Sequence, residues 1–153
     1  VGLDAPLVPN RGEILVTERM RPLLDLPTTY LRQTGEGSIL MGDSHEDVGF
    51  DDGTETPVLA QIAQRAVRAL PSLANTRVVR SWGALRVMTP DGYPLYQASE
   101  SHPGAFVACC HSGVTLAAAH AKCLAPWFAG AEPPAEISPF TAERFHVQTP
   151  VPA

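Results

Sequence analysis

Residues 56–70 constrain this chain more than any other stretch. Pro57 and Pro71 bracket them, and the apolar residues between recur at helical spacing. Val58, Leu59, Ile62, Ala63, Ala66, Val67 and Leu70 share one face, while Gln61, Gln64, Arg65 and Arg68 share the other. Thr56 is placed to cap the helix, and Pro57 to take its first position, where a missing N–H is no loss. Pro71 ends it. Such a helix must lay one stripe on an apolar surface, and the flanking sequence offers short β-prone runs to build that surface. The fold class expected is therefore α+β: a mixed or antiparallel sheet with a covering helix.

The strands are read from alternation and turn chemistry. Residues 1–10 read as an irregular lead-in, 12–17 (GEILVT) as a strand, and 21–27 as a Pro-bounded connection. Residues 30–34 and 38–43 flank Gly35-Glu36-Gly37, which predicts a hairpin. Residues 43–53 form an acidic loop, and 77–85 a strand rich in β-branched and aromatic residues. Thr89-Pro90-Asp91-Gly92 is a turn, because Pro presets φ and Gly accepts positive φ. Strands follow at 93–97 and, short and buried, at 105–109. Residues 112–128 are apolar almost all round, which predicts a buried helix loosened near its end by Pro126. A Pro-rich stretch and a closing segment at 138–145 complete the pass, and no internal repeat is visible.

Composition excludes several classes. The 153 residues are 44% hydrophobic, enough for a core without disulfides or a structural metal. No apolar run approaches the ~18 residues of a membrane span. No charged-then-apolar leader opens the chain, and it begins at Val1 rather than Met, so a piece of a longer protein is expected. The formal charge of −5, with Lys and Arg scattered, argues against nucleic acid and anionic membranes as partners. Three cysteines, an odd number, point to free thiols in a reducing compartment, the cytoplasm by default.

Candidate chemistry concentrates at two places. At residues 106–116 (FVACCHSGVTL) a strand runs through a turn of small residues into a helix N-terminus. Unpaired N–H groups there favour an electron-rich ligand, or simply cap a core helix. Arg86, near a strand end, suits bidentate recognition of a carboxylate or a surface ion pair. His45 and Glu46 are either acid–base groups or ordinary loop residues. Cys109, Cys110, His111 and Cys123 lack metal-ligand spacing, since adjacent cysteines on a strand face opposite ways. No GxGxxG, Walker A, GxSxG or HExxH motif is present, so no catalytic residue and no metal site is nominated.

An ordered set of phrases carries a family resemblance. These are Arg11-Gly12-Glu13-Ile14-Leu15-Val16-Thr17, then Ile39-Leu40-Met41-Gly42 with His45-Glu46 and Val48-Gly49-Phe50, then Leu70-Pro71-x-Leu73. Trp82-Gly83-Ala84-Leu85-Arg86-x-Met88-Thr89-Pro90-Asp91-Gly92-x-Pro94 and His111-Ser112-Gly113-Val114-Thr115-Leu116-Ala117 follow. Together they resemble the C-terminal part of the FAD-dependent D-amino-acid oxidase superfamily, from about Leu3 to Phe145. The nearest branches are glycine oxidase, the sarcosine oxidase β chains and the amino-acid dehydrogenases that include hydrogen cyanide synthase.

The resemblance implies oxidation of an amine or amino acid, with hydride passing from the substrate α-carbon to flavin N5. It implies that Arg86 binds the substrate carboxylate. It also implies that His111, Ser112, Gly113, Val114 and Thr115 form the helix terminus that meets the FAD. Cys110 stands where the family phrase has Gly, and Val87 where it has Pro. The implied organisation is a substrate-binding sheet domain at 1–100 with its helix at 57–70, a strand and helix of the FAD site at 101–130, and a Pro-rich tail at 131–153. The dinucleotide-binding part is expected elsewhere, as an N-terminal Rossmann segment or a partner chain, so that the chain alone holds FAD weakly and is inactive. Apolar surface left by that missing part predicts pairing with it or self-association into a homo-oligomer. The alternative is a non-catalytic domain that binds small carboxylates or partners and keeps only the fold.

Overall fold

The computed structural model describes residues 1–146, so residues 147–153 of the expected tail lie outside it. The chain divides into two units. One comprises Pro9–Arg86, and the other Val1–Val8 together with the chain from Val87 onward.

The first unit is built on a four-stranded sheet in the order β2-β3-β1-β4. Its strands are β1 (Val8–Arg19), β2 (Leu31–Gln33), β3 (Ser38–Met41) and β4 (Val78–Met88), of which Val8, Val87 and Met88 fall in the other unit. β3 lies antiparallel to both neighbours, with Met41 opposite Leu15 of β1 and Leu31 of β2. The expected hairpin is there: the Gly37 N–H donates to the Thr34 carbonyl at 3.0 Å, and Gly37 takes a φ of 99°. β1 corrects one expectation, because it starts at Val8 and absorbs the end of the supposed irregular lead-in. Arg11 and Glu46 exchange backbone hydrogen bonds of 2.9 and 3.0 Å, which extends the pairing beyond the apolar run.

Strand alternation sends Arg11, Glu13, Leu15 and Thr17 to one face of the sheet, all buried. The helix α1 (Thr56–Ala69) covers that face. Ile62 and Ala66 pack with Leu15, Leu31, Ile39, Met41 and Leu73, flanked by Val58, Leu59, Ala63, Val67 and Leu70, which is the stripe the periodicity predicts. The cap is a correction. Glu55, not Thr56, is the N-cap, and no side chain caps the helix. The Glu55 carboxylate is committed to Arg11 and its N–H donates to Glu13 Oε1 at 2.8 Å, so Thr56 and Pro57 become the first helical residues.

In the second unit, β5 (Leu95–Ala98) pairs antiparallel with β6 (Phe106–Cys109). Tyr96, Leu124 and Ile137 form its small core, with Trp127 and Phe140 against them. Asp91 and Arg144 pair at 2.7 Å, which holds the Asp91 carboxyl down at about 2. The expected buried helix is corrected twice. It is a composite of α2 (Gly113–Ala119), a π-turn over His120–Leu124 and α3 (Ala125–Phe128), the wider turn falling just before Pro126, which has no N–H to give. It is also largely uncovered: α2 buries no residue, Val114 is 95% exposed, and Leu124 alone of the run is buried among the described residues. An all-round apolar helix needs cover on every side, and the described residues supply it on one. The short strand expected to be buried is likewise only half-buried, with Ala108 exposed.

Candidate functional site

The site starts from the face of β1 opposite α1. Gly12 lies there, and the Arg86 guanidinium from β4 rests directly on it: a Cβ at position 12 would collide with that guanidinium. Glycine is required because the arginine uses the space. Arg86 is then fixed along one edge. Its Nη1 donates to the Ser44 carbonyl at 2.9 Å, Asn10 Oδ1 at 3.2 Å and the Arg11 carbonyl at 3.3 Å. Its Nη2 donates to the Asp43 carboxylate at 3.2 Å, and its Nε donates to none of the described residues. Arg86 lines a cavity of about 240 Å³ with Gly12, Ile14, Trp82, Ala84 and Leu85, and its side chain keeps 21% exposure. Gly83, in the middle of the same phrase, lets the carbonyls of Asp52 and Gly53 pass against β4.

Asp43 is a second centre, and sequence reasoning did not single it out. Its carboxylate receives Arg86, and His45 Nε2 lies 3.1 Å from the same Oδ2. Its carbonyl accepts from Arg65 Nη2 at 2.5 Å, while the Arg65 guanidinium stacks over the Tyr30 ring at 4.0 Å. His45 is exposed at the rim of this group. Glu46 is not: it belongs to the buried hub described next.

That hub was also missed. Arg11 is fully buried and donates to Glu46 at 2.6 Å, Glu55 at 2.6 Å and Asp51 at 2.9 Å, with Glu13 at 3.7 Å. Hydrogen bonds from Arg11 hold the Glu46 carboxyl below the usual range, while burial pushes Glu13 up. The hub reaches Arg86 through one residue. Ser44 Oγ accepts the Glu13 N–H at 2.8 Å and donates to Glu46 at 2.6 Å, while the Ser44 carbonyl receives Arg86. The available signal was Arg11 and Glu13 falling on the same strand face as Leu15, with an acidic loop to answer them.

The residues expected at the helix terminus lie in the second unit and are contiguous and open. His111 Nδ1 and Ser112 Oγ are 3.2 Å apart, and Ser112 is the N-cap of α2 without a side-chain cap bond. His111, Ser112, Gly113, Val114 and Thr115 are all exposed. A Cβ on Gly113 would meet nothing nearer than Cys110 Sγ at 3.8 Å, so the Cys at this position leaves the backbone approachable. Cys109, Cys110 and Cys123 are free thiols, and burial raises Cys109. Among the described residues no group of three or more His, Cys, Asp or Glu could hold a metal ion. A separate cavity of about 350 Å³, lined by Tyr96, Gln97, Trp127, Ile137 and others, contains none of the expected site residues.

An antiparallel sheet with a helix on one face and an anchored arginine on the other defines an α+β module. The FAD dependent oxidoreductase family model matches residues 1–127, and the chain belongs to that family. It is 45% identical over 151 residues to a subunit of the opine oxidase of Agrobacterium tumefaciens, a match that covers 99% of this chain and 41% of that protein. It is 37% identical to the hydrogen cyanide synthase subunit HcnC of Pseudomonas protegens, covering 94% of this chain and 36% of that one. The fold matches a glycine oxidase structure from Geobacillus kaustophilus with a TM-score of 0.81 and 23% identity, covering 92% of this chain and 40% of that one. The chain thus spans about two fifths of the length of the relatives it matches. No helix among the described residues is long and apolar enough to cross a membrane.

Proposed function

We propose that this chain is the C-terminal, substrate-binding portion of an FAD-dependent oxidoreductase that oxidises an amine or amino acid. The carrying observation is Arg86, fixed through Nη1 by three neutral oxygens and through Nη2 by Asp43, with its Nε unpaired among the described residues and its side chain lining a cavity. The Nε edge receives the substrate carboxylate as a two-point, charge-assisted contact. The support beneath it, Gly12 and the Ser44 carbonyl, sets the orientation.

His111, Ser112, Gly113, Val114 and Thr115 fit the role of flavin contacts. The first-turn N–H groups of α2 have no intrahelical partner, the Ser112 side chain does not cap them, and the space beside Gly113 is free. FAD, when bound, would supply the hydride acceptor for oxidation of the substrate at its α-carbon. The residues of this chain hold the carboxylate at Arg86 and offer N–H donors that stabilise negative charge at the helix terminus. We assign the substrate-binding role to residues 1–100 and the cofactor-contact role to residues 101–130.

The partner in this reading is a dinucleotide-binding segment, carried in the same polypeptide or on another subunit. Its support is the two-fifths coverage and relatives that are themselves named as subunits. A cytoplasmic setting rests on the free thiols. Absorbance of the purified protein tests the whole. The chain alone is colourless, and co-expression with a relative's dinucleotide-binding segment gives a yellow, stoichiometric FAD complex. FAD bound tightly by the chain alone, or none bound by the assembly, contradicts it.

A further inference from the structure

We infer that Asp43 is a specificity-determining residue that receives the substrate amine, so that Asp43 and Arg86 together recognise a zwitterionic amino acid rather than a simple carboxylate. The inference rests on the carboxylate role of Arg86 and extends it.

The geometry is a matched pair of opposite charges. Asp43 Oδ2 lies 3.2 Å from Arg86 Nη2, at the end of the one guanidinium edge that the backbone leaves open. A carboxylate docked on that edge therefore arrives beside another carboxylate. For a plain carboxylic acid this is a repulsive neighbour. For an α-amino acid the group next to the carboxylate is a protonated amine, and Asp43 becomes its acceptor. The pair reverses the sign of the substrate's own charges, atom group for atom group.

Asp43 is held for that purpose from its backbone. Arg65 donates to its carbonyl, and Ser44, the next residue, is tied to Glu13, Glu46 and Arg86. The carboxylate keeps 36% exposure and contacts Arg86 Nη2 at 3.2 Å, His45 Nε2 at 3.1 Å and Arg65 at 3.9 Å, so a substrate amine joins this group from its exposed side. Asp43 also lines a depression of about 200 Å³ whose wall is mixed, with Ile14, Tyr30 and Leu40 beside Thr28, Thr29 and Arg32.

The test uses the full chain and two isosteric probes, N-methylglycine and methoxyacetate, which differ by an ether oxygen in place of the amine. Affinities come from ligand-observed NMR titration of wild type, Asp43→Asn, Asp43→Glu and Arg86→Ala. Wild type is expected to prefer N-methylglycine by roughly tenfold, as for one charge-assisted contact. Asp43→Asn brings the two affinities within about twofold by weakening N-methylglycine, and Asp43→Glu restores part of the preference. Arg86→Ala weakens both probes together. An Asp43→Asn preference equal to wild type, or equal losses for both probes, overturns the role of Asp43. Unchanged binding of both probes in Arg86→Ala overturns the carboxylate reading itself, and binding of neither probe by wild type overturns both.

Discussion

The two helical segments of this chain carry similar apolar content and meet opposite fates. α1 lays its stripe on the sheet and buries Ile62 and Ala66, whereas α2 buries nothing among the described residues. The difference lies in what each unit brings to the helix. In the first unit four strands supply an apolar face, and the acidic loop ties the helix start to Arg11. In the second, Tyr96 of the two-stranded ribbon, with Ile137 and Phe140, covers the run near Leu124 and Trp127 only. Hydrophobicity therefore states that a surface will be covered, and the partner surface decides where.

The comparison breaks most severely at the hub. Arg11→Met leaves Glu13, Glu46, Asp51 and Glu55 without their shared cation and is expected to be the most destabilising of these substitutions. Urea denaturation followed by circular dichroism measures it, and a loss below about 1 kcal/mol would show the hub to be dispensable. Ile62→Ala is expected to cost about 3 kcal/mol, as a core truncation that leaves a cavity. In the second unit, Arg144→Ala removes the partner of Asp91 and is expected to cost about 1 kcal/mol, modest because the pair is partly exposed and screened. Since Asp91 sits at about 2, below its ordinary value, this contribution is complete above about pH 4. It fades as pH falls toward 2, so the variant and wild type converge in acid. Val114→Ser is expected to shift stability of the chain by less than about 0.5 kcal/mol, because nothing among the described residues packs on it. A cost as large as that of Ile62→Ala would show a covered helix and erase the contrast.

Much of this architecture was readable from residue types. Pro57, Pro71 and the stripe between them identify α1, and Gly35-Glu36-Gly37 identifies the hairpin, because both are local patterns. The cap at Glu55 was not readable, since it depends on Arg11, 44 positions away. The apolar run begins at Gly12, and a strand whose opening carries Pro9, Asn10 and the buried Arg11 hides from that criterion. Arg86 was singled out, but Asp43 was not: the two meet only through the sheet, 43 positions apart.

The Arg86→Lys variant of the chain tests the proposed carboxylate role most directly. Lysine keeps the charge and loses the planar fork. In ligand-observed NMR titration the half-saturating N-methylglycine concentration is expected to rise by about 30-fold or more. Half-saturation equal to wild type would contradict that role.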